Sequence, residues 1–179
     1  MNGMDPARTA NLLGALSLAV VDRVTAEAAD ALGHGAAAPA ALVTLSNSPD
    51  LTIGGLARIV QLSHPGTVRL VDRLAADGLV ARHRGDDGRE VVLGLTAAGR
   101  RAARDVLAAR AAVLTEALGA LPAADRSALD RVLPRLLAAL SPDPDVADHT
   151  CRLCDERACP LATCPVEQAI ADQRPAPLG

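Results

Sequence analysis

Residues 52–96 constrain the fold of this chain most: TIGGLARIVQLSHPGTVRLVDRLAADGLVARHRGDDGREVVLGLT. Apolar residues recur at helical spacing through Leu56, Ile59 and Val60, pause at Gln61-Leu62, and resume through Val68, Leu70, Val71 and Leu74. Two short helices joined by a tight turn account for this pattern. Thr52 and Ser63 stand where N-cap hydroxyls belong, Pro65 suits a first helical turn, and Gly78 suits a helix stop. Gly54 and Gly55 weaken the first helix, so either packing holds it or backbones approach closely there. Residues 79–84 and 90–95 then read as two strands around Gly85-Asp86-Asp87-Gly88, which is hairpin-turn chemistry. A helix, a turn, a helix and a hairpin can set one helix in the major groove of double-stranded DNA and a β-wing beside it.

The flanks are helical. Leu12, Leu13, Leu16, Val20, Val21 and Val24 mark an amphipathic helix over residues 9–32, ended by Gly33-His34-Gly35, with His34 read as an exposed turn residue. Pro39 fits the first turn of a short helix to residue 45. Thr96 caps a long helix to about residue 118, and another begins at Leu121-Pro122 and carries Leu129, Val132, Leu133, Leu136, Leu137 and Leu140. Pro134 inside it should kink it or remove a hydrogen bond. These helices carry more apolar surface than the central unit can cover, which predicts a homodimer over the alternative of a monomeric bundle folded on its own core. The expected fold class is mainly α with a small β-hairpin wing, a winged helix-turn-helix flanked by helical dimerisation arms. The expected domains are a DNA-binding and dimerisation domain over residues 1–140, a linker over residues 141–150 and a separate Cys-rich segment over residues 151–179. Within the first, the DNA-binding lobe is set at about 40–98 and the dimerisation helices at about 9–32 and 97–140.

Composition narrows the function. Half of the 179 residues are hydrophobic, yet Phe, Trp and Tyr are absent. The core must be aliphatic, and an aromatic platform for stacking single-stranded bases is excluded. The net charge is −3, but it is unevenly spread. Residues 52–101 hold eight Arg against five acids, whereas residues 141–179 hold three Arg against seven acids. Every basic residue is Arg, which suits bidentate contacts to guanine or phosphate; a GC-rich genome also produces that bias. No signal peptide and no apolar run able to span a membrane is visible, so no membrane partner is expected and the cytoplasm is the expected location. Nucleophile motifs and phosphate-binding loops are lacking, so the chain does not read as an enzyme.

LSHPGTVRLVDRLAADGLVARHRGDDGREVVLGLTAAGR resembles the winged-helix region of MarR-family transcriptional regulators, and the element order is similar over about residues 10–140. The resemblance implies a dimeric DNA-binding regulator, with helical arms, a recognition helix and a minor-groove wing. It implies that Ser63, His64, Gly66, Thr67 and Arg69 face bases and phosphates, with base readout falling chiefly to His64, Thr67 and Arg69. Arg73 would contact phosphate or pair with a nearby acid, and Arg84 flanks the wing tip. Asp87-Gly88-Arg89 matches the family's Asp-x-Arg wing pattern, in which the Asp steadies an Arg that enters the minor groove. A narrow minor groove concentrates negative potential and attracts such an Arg.

Cys151, Cys154, Cys159 and Cys164 are all the cysteines of the chain, in a C-x2-C-x4-C-x4-C pattern. C-x2-C lets two sulfurs face one ion, and the segment has few apolar residues with which to build a core. Structural zinc, an iron–sulfur cluster suited by the Cys-Pro pairs, and a metal-free disulfide switch all fit. Release from DNA is expected to follow a change at this cluster or a small-molecule effector between the arms and the DNA-binding lobes. A thiol–disulfide or metal-binding protein without a DNA-binding role is the competing class.

Overall fold

The computed structural model describes residues 5–85 and 90–173. Helix α1 (Pro6–Leu32) is capped by the Asp5 carboxylate and ended by Gly33 in the left-handed conformation. Helix α2 (Ala37–Asn47) follows, and then a two-residue strand β1 (Leu51–Thr52). Helices α3 (Ile53–Val60) and α4 (His64–Ala76) come next, then strands β2 (Val80–Arg84) and β3 (Val91–Leu95). The long helices α5 (Ala97–Gly119) and α6 (Ala123–Leu140) lead to a tail containing α7 (Pro144–Cys151), a 3-10 turn (Leu161–Thr163) and α8 (Pro165–Gln173). The fold is mainly α with a small antiparallel sheet, as the periodicity predicts.

Capping fixes the central unit. The hydroxyls of Thr52, Ser63 and Thr96 accept the N–H groups of Gly55, Gly66 and Gly99 at 3.0–3.2 Å, starting α3, α4 and α5. Gln61 takes a left-handed conformation, and the N–H of Leu62 donates to the Ala57 carbonyl, which makes the turn between α3 and α4. Strand β3 lies between β1 and β2, with Leu51 opposite Leu93 and Val80 opposite Leu95. In β3, Val91 is exposed while Val92 and Leu93 are buried, and Val92 lies opposite Thr52 of β1.

The main core is aliphatic, with Leu42, Leu56, Leu74 and Leu93 fully buried. A second cluster of Ala28, Val43, Val106 and Leu107 joins α1, α2 and α5. Beyond it the arms lie open. Leu12, Leu13, Leu16, Leu18 and Val21 of α1 are exposed, as are Val132, Leu133, Leu137 and Leu140 of α6, which buries no residue at all.

Two expectations about the C-terminal third fail. The stretch 141–150 is mostly helix α7 rather than linker: Asp143 caps it through the Val146 N–H at 3.0 Å, and Pro144 occupies its first turn. The Cys-rich segment is also not a separate unit, since Cys164, Val166 and Ile170 pack on Ala147 of α7 and the segment docks on the lobe. Leu153 packs against both main clusters, and Asn47 of α2 donates to the Cys154 carbonyl at 3.1 Å. His34 pairs with Asp77 at 3.3 Å rather than standing free in its turn.

The joint between hairpin and arm is tight. Thr96 Oγ1 donates to the Gly78 carbonyl at 2.6 Å, and a Cβ on Gly99 would lie 2.0 Å from the Leu79 carbonyl oxygen. Gly99→Ala is therefore expected to cost about 1–3 kcal/mol or more of stability, read by urea denaturation. A wild-type midpoint would show that the backbones separate there freely.

Candidate nucleic-acid interface and cysteine cavity

Helix α4 turns its N-terminus and one side outward. Ser63 and His64 are exposed at its start, and Arg69 and Arg73 are exposed one turn apart. The two arginines line a shallow hollow with Gly66, Leu62 and residues Gly35 to Ala37 at the start of α2. Neither makes an ion pair among the described residues. Gly66 is half-buried, and a Cβ there would come 3.1 Å from the Ser63 hydroxyl that caps the helix.

Thr67 does not belong with the outward set. It is fully buried, and its hydroxyl donates to the Ser63 carbonyl at 3.2 Å. Its side chain continues the stripe of Leu70, Val71 and Leu74, so the expected base-reading role falls away and Thr67 anchors the helix. Spacing carried the signal, since Thr67 lies three, four and seven residues before those apolar positions.

The hairpin is tied to both neighbours. Arg82 donates to Asp72 of α4 at 2.6 Å, and His83 meets Asp50, in the turn before β1, at 2.7 Å. Sequence alone did not single out Arg82, Asp72, His83 or Asp50. Arg84 is exposed at the end of β2, where the Gly85 N–H donates to the Glu90 carbonyl at 2.9 Å and closes the ladder. Asp87 and Arg89, expected at the wing tip, lie outside the described residues.

The four cysteines come together. Cys151, Cys154, Cys159 and Cys164 line one cavity of about 190 Å³. Thr44, Asn47 and Ile59 of the DNA-binding lobe share its wall, and Asp148, Glu156 and Glu167 lie around it. All four thiols are free, with Cys164 buried and the other three half-buried. Interaction with the Cys151 thiol, helped by the positive charge of Arg110, lowers the Cys154 thiol to about 6, and interaction with Cys154, burial and the neighbouring thiols raise Cys151. Burial and then Cys164 raise Cys159. Burial raises Asp148 and Glu156, with the charges of Asp145 and Glu167 respectively adding to it. Among the described residues, no three His, Cys, Asp or Glu side chains are gathered so as to hold a metal ion.

The cavity is fastened to the helix-turn-helix. His149, near the end of α7, bonds through Nδ1 to the Ile59 carbonyl at 2.7 Å. A carbonyl only accepts, so Nδ1 carries the proton. Ile59 lies in the last turn of α3, where carbonyls lack intrahelical partners. Arg58 and Asp145 add an exposed contact at 3.5 Å, of little energetic weight.

Comparison with known proteins matches this geometry. The MarR family model matches residues 25–90. A MarR-family transcriptional regulator from Silicibacter pomeroyi is 30% identical, matched over 70% of this chain and 87% of its own, with a TM-score of 0.55. The chain belongs to the MarR family. A MarR family protein from Bacillus stearothermophilus is 27% identical over 75% of this chain and 96% of its own, with a TM-score of 0.63. MepR, a transcription regulator of the Staphylococcus aureus multidrug efflux pump MepA, is 16% identical over 73% and 97%, with a TM-score of 0.65, and shares the fold. No curated protein matches. MarR-family members are DNA-binding transcription regulators rather than enzymes, and are typically dimers. Among the described residues, no helix is long and apolar enough to cross a membrane.

The cap on α4 gives a direct test. Ser63→Ala is expected to cost about 1 kcal/mol of stability in urea denaturation, because the Gly66 N–H loses its acceptor. Unchanged stability would mean that water replaces the hydroxyl without loss.

Proposed function

We propose that this MarR-family chain works as a homodimeric repressor on a pseudo-palindromic double-stranded site. Helix α4 enters the major groove, with His64 and Arg69 at base edges and Ser63, the Gly66 backbone and Arg73 at phosphates. Arg84 and Arg89 follow the adjacent minor groove, with Asp87 steadying Arg89. The exposed pair Arg69 and Arg73 carries this reading, since both guanidinium groups lack an acid partner among the described residues. The open apolar faces of α1 and α6 support the homodimer, as a second copy would cover them.

The four-cysteine cavity is the proposed site of the releasing signal, because it adjoins α3 directly. A small ligand is the other route, and a hollow of about 200 Å³ lined by Val20, Val24, Arg110, Leu114 and Leu153 suits an apolar one. A thiol or metal-binding protein with no role on DNA is the alternative that binding measurements separate.

The test is fluorescence anisotropy with DNA from upstream of the protein's own gene. Arg69→Ala and Arg89→Ala are each expected to weaken specific binding by about 1 kcal/mol or more. Wild-type affinity of both variants at moderate salt would remove helix and wing from the interface.

A further inference from the structure

We propose that Cys151, Cys154, Cys159 and Cys164 form a site for one thiophilic divalent cation of the zinc class, whose occupancy fastens α7 to α3 and raises affinity for DNA. The effect on DNA rests on the repressor reading above, whereas the cation site does not.

Every cysteine of the chain lines the same cavity. Cys151 and Cys154 lie at the end of α7 and its following turn, and Cys159 and Cys164 flank the 3-10 turn before α8. A tetrahedral thiolate site needs its sulfurs about 2.3 Å from a common centre. The described sulfurs are not so gathered. Closing the two pairs across the cavity would gather them without recruiting another residue. Binding is thus a movement of the tail as well as a coordination event.

The surroundings favour a cation. Asp148, Glu156 and Glu167 line the cavity together with Arg152, whose guanidinium donates to the His149 carbonyl, while Arg110 acts on Cys154 from outside the lining. A divalent cation would offset the charge of these carboxylates. Thr44, only 4% exposed, lines the same cavity, and its hydroxyl has no partner among the described residues. The tail's own core amounts to Ala147, Cys164, Val166 and Ile170, and a metal supplies the cross-link that so small a core lacks.

The path to DNA is short. Cys151 ends the helix whose His149 holds the Ile59 carbonyl, and the Cys154 carbonyl holds Asn47 of α2. Leu153, between the two cysteines, packs into both main cores. Gathering the sulfurs rigidifies this loop and α7, and with it α3, whose Gly54 and Gly55 leave it weak alone. A firmer α3 fixes the placement of α4.

The test uses the full chain, purified anaerobically with reductant. The expected result is about one zinc per chain and, with cobalt in its place, thiolate charge-transfer and tetrahedral ligand-field bands. Cys159→Ser and Cys159→Ser/Cys164→Ser should lose that spectrum while keeping the helical circular dichroism of wild type. Chelation should weaken DNA binding about fivefold or more, with zinc restoring it. Four free thiols without bound or titratable metal would overturn the cation site. So would an iron–sulfur chromophore, or Cys151–Cys154 and Cys159–Cys164 disulfides that account for the whole sample. Stoichiometric zinc with DNA affinity unchanged on chelation would overturn the coupling. Metal-loaded wild type that ignores DNA would instead refute the repressor reading and leave the cation site standing.

Discussion

The positioning of the DNA-facing helix depends on how α3 is held. This helix has eight residues, two of them adjacent glycines, and cannot persist by propensity alone. On one side Leu56, Ala57 and Val60 enter the aliphatic core against α2 and α4. On the other, α7 lies along it, and His149 takes up the Ile59 carbonyl at 2.7 Å. Where α3 ends, Gln61 turns the chain into α4. The placement of Arg69 and Arg73 thus inherits whatever precision α3 has.

The absence of aromatic residues sharpens this dependence. Leucine, valine and alanine give a core with small contacts spread over many side chains, so no single large ring locks the layers. Polar fastenings carry more of the orientation. Thr96 on the Gly78 and Leu79 carbonyls sets the hairpin on α5, and Arg82 on Asp72 sets it on α4. Such links contribute little to stability where exposed, but they fix the angle between helix and wing.

What the sequence made legible was local. The caps at Thr52, Ser63 and Thr96, the stop at Gly78 and the strand pair around residues 85–90 each depend on neighbours a few residues away. Burial of Thr67 was legible from its spacing to Leu70, Val71 and Leu74, but the polar hydroxyl masked it. Asp143-Pro144 is an N-cap followed by a first-turn proline, yet the second proline two residues earlier gave it the look of a linker. Strand β1 is too short to show a period, and it exists because β3 offers Val92 and Leu93 as partners. The docking of the tail through His149, Asn47 and Leu153 is non-local, as Ile59 and His149 stand 90 residues apart. The cysteine spacing pointed to a shared site, and all four thiols do line one cavity. That the DNA-binding lobe forms part of its wall was not readable from the segment itself.

A MarR-family lobe and a cysteine-bearing tail therefore meet on one short helix. A change in the tail acts on DNA binding only if α7 and α3 move as one body. Amide hydrogen exchange in the full chain, wild type against His149→Ala, tests this most directly. The account predicts faster exchange in the amides of α3 and the first turn of α4, with α5 unchanged. Identical exchange in α3 would contradict it, because the helix would then be held by the core alone.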